Sequence, residues 1–104
     1  MARKLANGPA TDPELLLLSS LIKGPKHGYA LMEDIALSSD VRLGPGTLYG
    51  AITRLVENKW IEPLESSGRQ RPYRLTPSGL LHLRTQLEKM QQLASLGLRR
   101  LGVA

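Results

Sequence analysis

The chain has 104 residues, which is the size of one small domain with room for an appended helix. Fourteen lysines and arginines stand against nine acidic residues, so the net charge is +5 and the sequence suits a polyanionic partner. The absence of cysteine excludes disulfides, thiol catalysis and cysteine-ligated zinc, and no apolar run is long enough to span a membrane, so we expect a cytoplasmic protein.

The first predicted elements are a loose arm over residues 1–11 and a helix that begins directly after it. Asp12 can cap this helix, Pro13 suits its first turn, and Glu14 complements the positive end of its dipole. The helix is expected to end at residues 23–25, where Gly and Pro follow a lysine.

The first helix is apolar on more than one side. Four of its residues form the expected buried stripe: Leu15, Leu18, Leu21 and Ile22. Leu16 and Leu17 widen that surface, so part of this helix is predicted to contact a second subunit.

A second helix is predicted from about residue 26 to Leu37. Its inward side is expected to carry Tyr29, Met32, Ile35 and Ala36, with Leu31 beside them. With the helix that follows, it is predicted to form a helix-turn-helix with a longer turn. The second helix is the first member of that pair and crosses the DNA backbone, so its start supplies the expected phosphate contacts Lys26, His27 and Tyr29. Residues 41–43 are a candidate for a short strand beside the hairpin that follows.

The third helix is expected to begin at residues 44–46 and to end near residues 58–59. Its apolar face comprises Leu48, Ile52, Leu55 and Val56. Its other side carries small, hydrogen-bonding or cationic residues, which suit a nucleic-acid groove: Thr47, Tyr49, Gly50, Thr53 and Arg54. The alternative is an ordinary solvated helix face.

A two-stranded hairpin is predicted next, because apolar and polar residues alternate over residues 60–64 and 71–76 around a turn that contains Gly68. Pro63 and Pro72 confine it to a short edge ribbon. Three arginines and one glutamine of the hairpin are expected to contact phosphate: Arg69, Gln70, Arg71 and Arg74. The alternative for these residues is a charged edge that opposes aggregation. Trp60 is expected to pack in the core and not to stack on a ligand.

The last helix is predicted to begin after Thr76, a cap followed by Pro77. One apolar stripe follows it at coiled-coil spacing: Leu80, Leu83, Leu87, Met90, Ala94, Leu98 and Leu101. This helix is longer than a small core needs, so the stripe is predicted to bury against a second copy. The alternative is that it folds back over its own chain.

The residues supply no credible catalytic or metal-binding set. His27 and His82 are the only histidines, and there is no Gly-x-Ser-x-Gly elbow or complete phosphate loop. We therefore expect no cofactor, no metal and no enzymatic activity.

Three stretches together resemble the PadR-like transcriptional regulators: residues 24–35 (GPKHGYALMEDI), 44–64 (GPGTLYGAITRLVENKWIEPL) and 68–79 (GRQRPYRLTPSG). The resemblance implies a repressor that binds an inverted-repeat operator as a homodimer joined by its C-terminal helix. It also implies a space between dimer helices and wing that can accept a flat hydrophobic effector. Two positions depart from the family, in that Gly50 stands where Pro is frequent and Pro72 precedes Tyr73 where two aromatics are frequent.

The sequence therefore predicts a mainly α fold with a small β-hairpin, a winged helix-turn-helix with a C-terminal dimerisation helix. The expected parts are a flexible arm over residues 1–11, a DNA-binding domain over 12–76 and the dimerisation helix over 77–104. Double-stranded DNA is the expected partner. The alternative function is a protein-interaction module that kept the winged helix without DNA binding.

Overall fold

The computed structural model describes residues 8–66 and 68–103, and within them the protein is mainly helical with a small antiparallel sheet. The helices are α1 (Pro13–Ser20), α2 (Gly28–Ser39), α3 (Pro45–Glu57) and α4 (Pro77–Leu101). The strands are β1 (Lys26–His27), β2 (Ile61–Pro63) and β3 (Pro72–Leu75), in the sheet order β1-β3-β2. Residues 1–7, which make up most of the predicted arm, lie outside the described residues.

Helix α1 begins where its sequence signals predict. The Asp12 side chain accepts a hydrogen bond from the Leu15 amide at 3.1 Å, and Pro13 lies in the first turn. The end of the predicted arm is ordered, because Pro9–Thr11 forms a 3-10 turn. After Ser20 the chain tightens into a second 3-10 turn, Leu21–Lys23.

The second 3-10 turn corrects the predicted buried stripe of the first helix at one position. Its tighter winding places successive side chains further apart around the axis than an α-helix does. Leu21 consequently stays in the core, whereas Ile22 turns outward and is 54% exposed.

The third strand of the sheet differs from the prediction, which placed a candidate strand at residues 41–43. In the structure Lys26 pairs with Tyr73 and His27 pairs with Pro72, whereas Val41 and Leu43 pack on the core from a loop. His27 already has the extended backbone that the N-cap of α2 requires, so it can also join the edge of β3.

Helix α2 presents most of its predicted face to the core, since Met32 packs against it as expected, but the face is wrong at one residue. Leu31 and Ile35 are fully buried together with Gly28, whereas Tyr29 is 56% exposed. The helix has its first residue at Gly28, and residues three and seven positions later fall on that same inward side. The prediction for Tyr29 as an inward residue is therefore wrong.

One core joins all four helices to the sheet. Its fully buried large side chains are Leu17, Leu18, Leu31, Ile35, Leu48, Leu55, Ile61 and Leu83. Each buried aliphatic side chain contributes about 1.5–3 kcal/mol relative to an exposed one. The prediction that Leu17 and Leu83 are dimer contacts is wrong. Both side chains are buried in the core of the single chain. Leu16 is half-buried against the same core.

The corner between α3 and β2 fastens the start of α4 to the wing, by which we mean β2, β3 and their connecting loop. The Lys59 carbonyl accepts hydrogen bonds from the Thr76 hydroxyl at 2.7 Å and the Ser78 hydroxyl at 3.0 Å. The Trp60 ring stacks on His82, with 3.5 Å between ring centroids and 10° between planes. Trp60 also packs on the core, as predicted, and its stacking partner belongs to the protein itself.

Lys59 has a left-handed backbone with φ of 62°, which a side chain with a Cβ atom adopts at a cost. We expect Lys59→Gly to raise the free energy of unfolding by about 0.5–1 kcal/mol, because glycine removes that strain but adds chain entropy to the unfolded state. Urea denaturation measures the difference. Asp40→Gly is the control: Asp40 has φ of 56°, but aspartate tolerates this region, so its gain should be smaller. A Lys59→Gly variant no more stable than the parent would contradict the strain.

Candidate nucleic-acid interface

A cleft of about 200 Å³ lies where the start of α2, the helix α3 and the wing meet. We call it the wing cleft, and it is lined by His27, Gly28, Tyr29, Tyr49, Arg69, Gln70, Arg71 and Tyr73. Six of the twelve predicted DNA-binding residues are among these. The fold therefore brings together three stretches that lie far apart in the sequence.

Gly28 lets α2 and α3 approach each other at the floor of the wing cleft. A Cβ atom at this position would lie 2.2 Å from the Tyr49 hydroxyl oxygen, well inside van der Waals contact. Tyr49 therefore sets its ring against the first turn of α2 and keeps about half of its surface exposed. Its hydroxyl therefore lies against Gly28 at the N-terminus of α2.

Two predicted phosphate contacts at the start of α2 have structural partners. The Nδ1 atom of His27 accepts a hydrogen bond from the Ala30 amide at 3.4 Å, so His27 is the N-cap of α2 as well as a cleft residue. Lys26 does not line the cleft, because its amino group donates to the Ser20 carbonyl. Its role as a phosphate contact is thus not apparent in this conformation.

The four predicted arginines divide into two kinds. Arg69 and Arg71 are exposed on the wing, and no carboxylate of residues 8–66 or 68–103 pairs with either. Arg54 pairs with Glu14 through its Nε atom at 2.6 Å, and Arg74 pairs with Glu62 through its Nη2 atom at 2.6 Å. Exposed ion pairs contribute only about 0–1 kcal/mol, so a phosphate can displace them.

The remaining predicted residues lie along α3 outside the wing cleft. Thr47 is exposed in the first turn, and Gly50 follows it on the same side. Thr53 is exposed as well, but its hydroxyl donates to the Tyr49 carbonyl at 2.9 Å. A groove on the protein surface lies between α3 and the wing and is lined by Thr53 and Arg71, among others. Its volume is about 340 Å³.

Glu14 was not predicted to lie beside the DNA-binding residues of α3. It was interpreted as a residue that complements the dipole of the first helix, and it does lie in the first turn of α1. Its contact with Arg54 joins positions forty residues apart. Only the packing of α1 on α3 brings them together, and no local spacing signals it.

The apolar stripe of α4 is largely open to solvent on both sides of buried Leu83. Its exposed leucines are Leu80 (52%), Leu87 (42%), Leu98 (48%) and Leu101 (78%). With half-buried Met90 and exposed Ala94 we call this stripe the α4 surface. Ile22 borders it at an apolar groove of about 290 Å³ that also contains Leu80 and Leu87.

A family model described as "Transcriptional regulator PadR-like family" matches residues 17–85. The chain belongs to the PadR-like family of transcriptional regulators. This is a non-enzymatic family, and membership implies DNA binding. In the described part of this PadR-like regulator, no helix is both long and apolar enough to cross a bilayer, and no three His, Asp or Glu side chains gather as a metal site.

Among curated proteins, this PadR-like regulator is similar to an uncharacterized 37.1 kDa protein in transposon TN4556 of Streptomyces fradiae, with 46% identity over 83 residues. The match covers 80% of this chain but 24% of the other protein, so the chain spans about a quarter of that protein's length.

Solved structures of transcriptional regulators share the fold of this PadR-like regulator. A regulator from Clostridium thermocellum has a TM-score of 0.76 at 25% identity, covering 92% of this chain and 93% of that one. A PadR family regulator from Clostridium difficile has a TM-score of 0.76 at 24% identity, covering 86% and 97%. A winged-helix DNA-binding protein from STIV has a TM-score of 0.70 at 20% identity, covering 76% and 87%. The predicted winged-helix fold is thereby confirmed.

Proposed function

We propose that this PadR-like regulator is a cytoplasmic repressor that binds an inverted-repeat operator in double-stranded DNA as a homodimer. The observation that carries the proposal is the wing cleft, where two wing arginines stand beside Tyr49 of α3 with no carboxylate partner among residues 8–66 and 68–103. In a winged helix-turn-helix, the recognition helix enters the major groove and the wing follows the backbone. The net charge of +5 favours association with DNA at low salt.

Each side of the interface has its own task in this proposal. Arg69 and Arg71, with Gln70 between them, contact phosphates and set the register of the protein on the duplex. The half-exposed side chains of Tyr29 and Tyr49 stand at the start of α2, where their hydroxyls can donate to a phosphate. Three small residues of α3 allow the helix to lie close to the base edges: Thr47, Gly50 and Thr53.

The homodimer follows from the α4 surface. Helix α4 has 25 residues, which at 1.5 Å per residue make a rod of about 37 Å, and only its first turns reach the core of its own chain. Leucines at coiled-coil spacing along such a rod are covered when a second rod packs beside it. Two-fold symmetry then places two recognition helices on adjacent turns of an inverted repeat.

We expect the parent protein to be a dimer that binds a duplex from its own upstream region, and Leu87→Glu/Leu98→Glu to be a monomer. Two carboxylates on facing α4 surfaces would be buried without partners. The monomer should bind the duplex at least about 10-fold more weakly, because the two half-sites no longer share one binding event. Sedimentation equilibrium gives the mass, and fluorescence anisotropy gives the dissociation constant.

The matched control is Thr85→Glu/Gln92→Glu, which adds the same two charges to α4 at exposed positions on the side of the helix away from the stripe. This variant should remain a dimer. The proposal is wrong if the parent protein is monomeric at micromolar concentration, or if it ignores every duplex at low ionic strength.

We propose a small hydrophobic effector as a further ligand of this regulator. A flat hydrophobic compound would enter the apolar groove beside Leu80 and Leu87. The volume of this groove, about 290 Å³, is close to the lower limit for pockets that bind small molecules. Stacking on Trp60 is disfavoured, because His82 already covers that ring. The alternative function, a protein-interaction module without DNA binding, is disfavoured by Arg69 and Arg71, which no carboxylate in the described part of the chain neutralises.

A further inference from the structure

Arg54 of the recognition helix is held by a residue from another helix. Its Nε atom donates to the Oε2 atom of Glu14 at 2.6 Å. Glu14 lies in the first turn of α1, where the helix dipole favours a negative charge. The Arg54 side chain is 55% exposed and that of Glu14 is 29% exposed, so the pair stands at the surface of the protein.

The contact with Glu14 uses one edge of the guanidinium and leaves the other available. Within residues 8–66 and 68–103, the hydrogen bond of the Arg54 side chain is made by Nε and none is made by the two terminal nitrogens. A Cβ atom at Gly50 would lie 3.6 Å from Nη1, so the guanidinium lies back along α3 above this glycine. Thr47, one turn further toward the N-terminus, is exposed on the same side.

A free terminal edge on an anchored guanidinium matches the chemistry of a guanine base. Guanine presents its O6 and N7 acceptors side by side in the major groove, and arginine meets them with two parallel donors. Such a bidentate contact requires the plane of the guanidinium to be aimed, whereas a single phosphate contact does not. Stability does not account for the pair, because exposed ion pairs contribute little to folding.

We propose that Glu14 is a positioning residue that aims the terminal nitrogens of Arg54 at a guanine in each half-site. This inference rests on the proposed function, since it requires α3 to lie in the major groove. Glu14 acts through Arg54 and does not touch DNA itself. The recognition surface therefore includes a residue of α1, outside the helix-turn-helix pair and the wing.

The other arginine pair of the interface provides a contrast. Arg74 donates to the Oε2 atom of Glu62 from both Nε, at 2.9 Å, and Nη2, at 2.6 Å. The Glu62 carboxylate therefore occupies Nη2, one of the two terminal nitrogens of Arg74. Arg74 consequently cannot offer both terminal nitrogens to a base. Glu62 shields a charge on the wing, whereas Glu14 leaves the reading edge of Arg54 open.

The test is a base-pair profile of binding. The probe is the duplex that the parent protein selects from a random library, together with each of its single-base-pair variants, measured by fluorescence anisotropy. Arg54→Ala is expected to reduce the preference at one G·C pair per half-site about 5- to 150-fold, the range of a bidentate guanine contact. Glu14→Ala should reduce the preference at that same pair about 3- to 10-fold and at no other pair.

Two further variants separate positioning from charge. Glu14→Gln keeps an acceptor for Nε and is expected to fall between the parent and Glu14→Ala. Glu62→Ala changes the charge by the same amount and should tighten binding to all duplexes alike. In the Arg54→Ala background, Glu14→Ala should leave the profile unchanged, because nothing remains to be positioned.

The inference is overturned if Glu14→Ala acts on all base pairs equally, as Glu62→Ala does, or if its effect persists without Arg54. It is also overturned if the parent selects a sequence and Glu14→Ala leaves its profile intact. A parent protein that selects no sequence would instead refute the proposed function, so the two failures give different results.

Discussion

Replacing Arg69 and Arg71 together by alanine is expected to weaken binding to a selected duplex about 10- to 100-fold at moderate salt. Both side chains are exposed at the wing cleft without a carboxylate partner among the described residues, so their charge is available to phosphate. Each phosphate contact contributes about −0.9 to the slope of log binding constant against log salt, so the double variant should lose about 1.8 of that slope. Anisotropy titrations over a salt series measure both quantities.

Arg99→Ala/Arg100→Ala is the matched control for the wing variant. These two arginines occupy the last turn of α4, far along the chain from the wing cleft, and their removal changes the net charge equally. Binding should then fall only slightly, through the weaker long-range field. Equal losses for the two double variants would show that total charge, and not the wing, determines affinity.

The second large effect is expected for Gly79→Ala, in the first turn of α4. A Cβ atom at Gly79 would lie 1.9 Å from the carbonyl oxygen of Trp60 and 2.7 Å from its carbonyl carbon. That carbonyl is backbone and accepts a hydrogen bond from the Thr76 amide at 3.1 Å, so it cannot move aside as a side chain would. We expect a loss of about 3 kcal/mol or more in the free energy of unfolding, at the upper end of overpacking effects.

Thermal unfolding measures this loss, which for a chain of this length corresponds to a fall of roughly 15 °C in Tm. Gly97→Ala is the control on the same helix, because a Cβ atom there would meet no other atom within 4 Å. It should raise stability by up to about 1 kcal/mol, since alanine is the better helix former. A Gly79→Ala protein as stable as the parent would contradict the close packing of α4 on the wing.

The elements that could be predicted from the sequence are those with strong local signals. Asp12 and Thr76 both cap the helices that follow them, and Pro13 and Pro77 both lie in first turns. The hairpin was expected because its alternation and its turn lie in one continuous stretch. Signals of this kind involve neighbours a few residues apart, so a single sequence reveals them.

What could not be predicted depends on how the helices pack. The sheet takes its third strand from residues 26–27 because the turn after α1 brings them to β3, and nothing within Lys26-His27 announces a strand. Leu17 and Leu83 belong to apolar surfaces that were expected to meet a second subunit, yet the core of one chain encloses both. Periodicity shows that a face is apolar but not which surface covers it.

The residues of the candidate site could be predicted from the sequence, but several of their contacts could not. The wing residues and Tyr49 were identified because basic or aromatic side chains on a turn and a helix are recognisable from residue type. The pairing of Arg54 with Glu14 and of Lys26 with Ser20 was missed, because each partner belongs to another element. Residue type indicates which side chains can meet phosphate, whereas the folded chain determines which are already engaged.

Trp60 is the only tryptophan of the protein, and it lies at the joint between the wing and α4. The imidazole of His82 covers one face of the Trp60 indole. The fluorescence emission of Trp60 therefore depends on this stacking contact. Intrinsic fluorescence therefore gives an optical signal from this one joint, free of background from other indoles. Loosening of α4 from the wing can be followed in solution without attaching a dye.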